Sequence, residues 1–172
     1  MQPRYAQRVN GIRSSAIRDI FKYLGKPGLI SFAGGNPGAF ALPDIQTADI
    51  AGSLLRDKGK ALLQYGQTEG WLPLRDSLVG YIQDTFQVRT SLEQVLITTG
   101  SMQGFDLLCR TLLDPGDAVL CESPAFLGAL QALNGYQANI LPVPCDEEGM
   151  DVEVLEKLMR HHHPKLLYTI PT

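Results

Sequence analysis

The chain has little cysteine, no block of basic residues and no long apolar run, and each shortage removes a class of protein. Three cysteines, Cys109, Cys121 and Cys145, occur in 172 residues. Their odd number, wide spacing and lack of a Cys-x-x-Cys pair argue against a disulfide scaffold or a thiolate zinc site, and fit reduced thiols in the cytoplasm. Lysine and arginine number 15 against 18 acidic residues, a net charge of −3 spread along the chain. No nucleic-acid partner is expected from such a distribution. The longest apolar stretches fall well short of the ~20 residues that span a bilayer, so no membrane is expected either. The polar start, Met1-Gln2-Pro3-Arg4-Tyr5, has no apolar core of the secretory type. The spaced Gly-Lys-Ser/Thr of a Walker A loop is missing. All three histidines are consecutive, His161-His162-His163. Three neighbours on a helix cannot face one ion, so they read as a solvated helix end rather than a metal site.

What is present is ordinary globular composition, 44% hydrophobic and 19% charged, with enough length for one core. Residues 1–13 read as a polar arm. Ile17, Ile20, Phe21 and Leu24 give a short helix its apolar face, ended by Gly25 and Pro27-Gly28. Asp44 as N-cap and Gly59 as stop bracket a helix whose face is Ile45, Ala48, Ala51, Leu54 and Leu55. Another helix begins near Pro73 and carries Leu74, Leu78, Tyr81, Ile82 and Phe86. From there the pattern alternates. Expected strands are Val95–Thr98, Ala118–Cys121, Asn139–Val143 and Leu166–Ile170. Between them lie expected helices at Met102–Leu113, from Ser123-Pro124 onward, and around Val152–Met159. Alternation of this kind predicts βαβ units, a mainly parallel sheet with helices on both faces, and sites at the carboxyl ends of the strands. A chain ending on an apolar strand leaves a raw sheet edge, so a truncated domain is expected.

Four short motifs could carry chemistry. In Thr98-Thr99-Gly100-Ser101-Met102-Gln103-Gly104 a strand gives way to a helix whose first N–H groups are unpaired, a ready anion site to which Ser101 adds a hydroxyl. The plainer alternative is a capped helix start. Glu122-Ser123-Pro124-Ala125-Phe126 places an aromatic ring near a strand's carboxyl end, where it could cover a flat heteroaromatic ring or simply join the core. Tyr65, in Tyr65-Gly66-Gln67-Thr68-Glu69-Gly70, could bring a hydroxyl to an anion or sit in a surface loop. Ser31-Phe32-Ala33-Gly34-Gly35-Asn36-Pro37 allows close backbone approach at Gly34 and Gly35, or is merely a turn. Arg18 could grip a carboxylate with its planar fork or pair with a nearby acid.

In this order the wording resembles the fold-type I (class I/II) pyridoxal-phosphate (PLP) aminotransferases, in the branch with the α-aminoadipate and kynurenine aminotransferases. The residues that carry it are Ser14-Ser15-x-Ile17-Arg18, Ser31-Phe32-Ala33-Gly34-Gly35-x-Pro37, Leu63-Gln64-Tyr65-Gly66-x-Thr68-Glu69-Gly70, Leu96-Ile97-Thr98-Thr99-Gly100-Ser101-x-Gln103, Asp114-x-Gly116-Asp117 and Glu122-x-Pro124. The resemblance runs from about Arg13 to Thr172 and covers the amino-terminal part of such an enzyme. It implies a three-layer α/β/α domain with a mainly parallel sheet. Residues 1–44 would be an arm and substrate-side loop, and 45–172 the first part of the PLP-binding large domain.

The resemblance further implies that Gly100, Ser101, Met102 and Gln103 hold the phosphate. Met102 replaces a frequent glutamine and would act through its backbone. Phe126, where tyrosine is more usual, would stack on the pyridine ring, and Tyr65 would cross a homodimer interface to the partner's PLP phosphate. Gly34 and Gly35 would line the substrate, and Arg18 would meet its side-chain carboxylate. The implied activity is amino transfer from an α-amino acid to a 2-oxo acid such as 2-oxoglutarate. The Schiff-base lysine of the family lies on a late strand, and Lys22, Lys26, Lys58, Lys60, Lys157 and Lys165 do not match its context. The 172 residues alone are therefore expected to be inactive, with no catalytic residue of their own. Two alternatives keep the same fold: an aminotransferase-like domain of a transcription regulator, or a PLP-dependent lyase.

Overall fold

A computed structural model describes residues 4–6, 8–9, 23, 26–30 and 37–170. Apart from Tyr23, the expected helix over 17–24, together with Arg18, Gly34 and Gly35, lies outside the described residues. The chain forms two compact units, one from Met1–Arg18 with Thr99–Thr172 and one from Asp19–Thr98.

The larger unit is built on strand β1, Ala118–Ser123. Val119, Leu120 and Cys121 are three apolar residues in succession, and all are buried. A run without alternation is what a strand covered on both faces requires. β1 pairs in parallel with β2 (Asn139–Asp146) on one side and with β4 (Leu166–Tyr168) on the other. A two-residue strand, β3 (Gly149–Met150), folds back antiparallel on β2, so the order is β3-β2-β1-β4. Only this hairpin departs from the parallel sheet expected.

Helix α3 (Ser101–Leu112) precedes β1, α4 (Leu127–Gly135) joins β1 to β2, and α5 (Val152–His162) joins β2 to β4. Cys109 and Leu113 from the α3 region meet Val119 and Cys121 of β1 and Leu133 of α4 in one buried cluster. The α3 face is narrower than its sequence pattern, because Leu108 and Leu112 stay exposed. The connection by α4 moves one way from β1, and the connection by α5 crosses back over β1 to β4. Right-handed crossovers of opposite sense put α4 and α5 on opposite faces, which makes three layers. α5 accordingly packs on β2 and contributes nothing to the Cys109 cluster. Its start is capped by Asp151, whose carboxylate accepts from the N–H groups of Glu153 and Val154, both at 3.0 Å. The three histidines fall in its last turn and cap, and no metal-binding cluster of His, Cys, Asp or Glu occurs among the described residues. The cysteines are separate thiols. Burial, then the charge of Glu122, then Cys109 push the Cys121 thiol up to about 11.

The smaller unit holds α1 (Asp44–Leu62) and α2 (Leu72–Phe86). Gly59 does not stop α1. The backbone leaves helical geometry at Lys58 (φ −134°) and the helix then resumes to Leu62. Asp44 is its first residue rather than its N-cap, which is Pro43. No residue of α1 is buried. The strand expected at Val95–Thr98 does not form. The segment is extended but has no ladder, and its Ile97 N–H bonds the Glu69 carbonyl (2.9 Å). Arg75 anchors this region from α2. It is the one buried charged side chain among the described residues, and it donates from Nε to the Val95 carbonyl (2.9 Å) and from Nη2 to the Leu92 carbonyl (2.5 Å). By spacing it shares the face of Leu78, Ile82 and Phe86, but an arginine is a residue type normally left in solvent.

Two expectations follow. Leu133→Ala empties a fully buried site between α4 and β1, and urea unfolding should show a loss of about 3 kcal/mol. At the amino edge of the sheet, Lys165 Nζ lies 2.6 Å from Asp117 and 3.7 Å from Asp114. The Lys165 bond, then the Asp114 N–H, lowers the Asp117 pKa, and the Asp117 bond raises that of Lys165. The aspartate's share of stability is thus present above its unfolded pKa and lost as pH falls through the lowered folded value. The lysine's share is present below its unfolded pKa and lost as pH rises through the raised one. Denaturation midpoints of Asp117→Asn against the parent should differ at neutral pH and converge below about pH 4.

Candidate functional site

The carboxyl edge of the larger unit gathers most of the described candidates. From β1 the chain passes first to β2 on one side and then to β4 on the other, so the crevice between β1 and β4 is the switch point of this sheet, where ligands of α/β folds collect. α3 runs back along the sheet from this edge. Phe105, in its second turn, packs on Tyr168 at the end of β4, with ring centroids 5.1 Å apart. Its far end leads through Asp114–Asp117 to the amino edge.

Gly100 is the N-cap of α3, at φ 82° and ψ 167°, a conformation only glycine adopts readily. It brings no side chain to the helix start, and no side-chain cap bond is made there. Helical geometry leaves the N–H groups of Ser101, Met102 and Gln103 without intrahelical acceptors. Their partial positive charge adds to that of the helix dipole. The Gln103 side chain turns back, and its Oε1 accepts the Thr99 N–H. The amide oxygen of Gln103 is thereby engaged, while its backbone N–H stays with those of Ser101 and Met102 at the helix start. Ser101 is exposed and Met102 is 40% exposed. The set is neutral, amide-rich and open, which suits a phosphate group.

Phe126 is the N-cap of α4, three residues beyond β1 and 47% exposed. The helix starts there and not at Ser123-Pro124 as the motif suggested. Gly128 makes room for the ring, since a Cβ on it would come 2.7 Å from Phe126 Cζ. This unit thus carries both a phosphate-type cradle and an aromatic face at one edge, fitting a phosphorylated heteroaromatic group.

Tyr65 belongs to the smaller unit. It is fully exposed, and its N–H bonds the Gln64 Oε1 at 2.9 Å. Its loop is braced by Gly70 (φ 108°), which sits so close to Ile97 that a Cβ would come 2.7 Å from the Ile97 Cβ. Lys58 Nζ stands 5.5 Å from the centroid of the Trp71 ring beside it. Lys165 is tied to Asp117 and Asp114, and its N–H bonds the Ala118 carbonyl at the amino edge (2.9 Å).

One residue of the edge had a motif but no assigned role. The Glu122 carboxylate accepts from Thr169 Oγ1 and from the Ile170 N–H, the latter at 3.1 Å. No local pattern predicts partners 47 and 48 residues away.

A mainly parallel sheet covered by helices, with a helix start and an aromatic open at its carboxyl edge, defines an α/β domain. The chain belongs to the aminotransferase class I and II family, whose pattern matches residues 28–169. It is 42% identical over 161 residues to the 2-aminoadipate transaminase of Thermus thermophilus, covering 94% of this chain and 39% of that protein. Among solved structures, the α-aminoadipate aminotransferase of Thermus thermophilus, complexed with N-(5'-phosphopyridoxyl)-L-leucine, superposes with a TM-score of 0.83 at 40% identity. That match covers 97% of this chain and 40% of the other. The kynurenine aminotransferase of Pyrococcus horikoshii, in complex with PMP, superposes with a TM-score of 0.85 at 35% identity, covering 98% and 43%. The chain thus spans about two-fifths of the length of these relatives.

The cap geometry makes a direct expectation. Gly100→Ala places a Cβ in open space, with no atom within 4 Å, but holds alanine at φ 82°. The cost is conformational and should be about 2 kcal/mol by urea titration.

Proposed function

We propose that the whole protein is a PLP-dependent aminotransferase that moves an amino group from an α-amino acid to a 2-oxo acid, with 2-oxoglutarate as the acceptor. The observation that carries this reading is that the start of α3, which has no side-chain cap, and the half-exposed Phe126 both lie at the carboxyl edge of the sheet, in a chain of this family. When bound, PLP supplies an electron sink conjugated with the substrate's α-carbon. The residues here bind and orient it. Gly100 lets the phosphate approach the backbone, the N–H groups of Ser101, Met102 and Gln103 donate to it, and the Ser101 hydroxyl adds another donor. Phe126 lays a π-face against the pyridine ring and, lacking a hydroxyl, makes no polar contact from its tip.

In the same reading Tyr65 reaches the phosphate held by the other protomer of a homodimer, Gly34 and Gly35 line the substrate, and Arg18 pairs with a substrate side-chain carboxylate. Residues 1–44 serve as arm and substrate-side loop, and 45–172 as the first part of the large domain. The protein works in the cytoplasm on small acids. No helix among the described residues is long and apolar enough to cross a membrane. The family's relatives named as transaminases favour amino transfer over a regulator or a lyase.

The 172 residues alone hold no lysine suited to anchor PLP, so they should show no turnover. After PLP and borohydride the isolated 18.8 kDa chain should gain no stoichiometric adduct. The whole protein should gain one, on a lysine outside this stretch. A single adduct on one of these six lysines would sink the site assignment. In the whole protein, Ser101→Ala should raise the PLP dissociation constant about tenfold. An unchanged constant would remove Ser101 from the site.

A further inference from the structure

β1 and β4 are joined as a ladder only as far as Cys121 opposite Tyr168. β1 continues to Ser123 along β2, with Glu122 opposite Val143. The next step of the β1–β4 register would set Glu122 against Thr169, and there the backbone ladder ends. The Glu122 side chain takes over, since its Oε1 accepts both the Thr169 hydroxyl and the Ile170 N–H. A carboxylate is acceptor-only and can serve two donors on one oxygen, with bonds stronger than neutral ones. The bridge therefore stands where the two strands part, and it also borders an opening of about 690 Å³ whose other wall is the Cys145–Met150 hairpin at the end of β2. One rim of the crevice is the Ser123–Phe126 exit from β1, and the other is the Thr169–Ile170 exit from β4.

We propose that Glu122 is a positioning residue for the cofactor, one that holds the exit of β4 against the exit of β1 and so sets the spacing of the two strand exits at the edge that carries Phe126. The proposal rests on the reading of this edge as the PLP site. Glu122 needs no contact with PLP. It acts through the Thr169–Ile170 backbone, and ligand geometry is sensitive to displacements of about 1 Å.

The test uses the whole protein with Glu122→Ala, Glu122→Gln and Thr169→Val, read by absorbance titration of the apoprotein with PLP and by hydrogen exchange at the Ile170 amide. Glu122→Ala is expected to weaken PLP about tenfold and to strip protection from Ile170, whereas Glu122→Gln, which keeps the acceptor oxygen, stays within about threefold and keeps Ile170 protected. PLP affinity unchanged in Glu122→Ala overturns the proposal. So does an equal loss in Glu122→Gln with Ile170 still protected, because charge rather than bridging would then be at work. Should Glu122→Ala not fold, Thr169→Val decides: about threefold weaker PLP supports the bridge and an unchanged constant overturns it. A parent protein that takes up no PLP overturns the cofactor reading itself, whereas a parent that binds normally beside an unaffected Glu122→Ala overturns this proposal alone.

Discussion

The burial of β1 on both faces is the constraint from which the larger unit follows. Val119 and Cys121 face α3 and α4, and Leu120 faces the other way. A strand with no solvated face must be covered twice, and the two crossovers of opposite sense provide one layer each. The same reversal opens the crevice between β1 and β4. The place where a ligand can sit is therefore a by-product of how the central strand is covered.

The two edges of this sheet are finished in different ways. At the amino edge the groups satisfy one another: Lys165 with Asp117 and Asp114, the Asn139 N–H with the Asp117 carbonyl at 2.8 Å, and the Gly116 N–H with the Gln137 carbonyl at 2.9 Å. At the carboxyl edge the start of α3 receives no side-chain cap, and a half-exposed phenylalanine begins α4. Burying or capping these groups would stabilise the unit. Leaving them open preserves donors and a ring face for something else. Glu122 is the exception at this edge, a polar group spent on holding the strand exits together.

The smaller unit shows what a local pattern can mislead about. Val95–Thr98 has the composition of a strand, yet strand formation needs a partner ladder, and the segment is held instead by Glu69 and by the Arg75 guanidinium. Arg75 looks like a solvated helix residue because charge is normally exposed. It is buried because two carbonyls of the following segment, 17 and 20 residues on, need donors. Likewise, the apolar pattern of α1 gave a helix, but no residue of that helix is buried.

Element type, the alternation of strand and helix, the glycine at the start of α3 and the aromatic after β1 were all legible in the residues, because they depend on neighbours within a turn or a strand. The βαβ pattern also implied the edge at which a site would lie. The order β3-β2-β1-β4, the closing hairpin on β2, the turn of Gln103 onto Thr99 and the Glu122 bridge came only with the folded chain. Most of these join residues far apart in sequence, and Gln103 had two equally local uses between which packing chose. A spacing rule cannot see a carboxylate whose donors lie 47 and 48 residues away. Those donors reach it because β4 is laid beside β1 by a crossover, and that pairing is a property of the sheet.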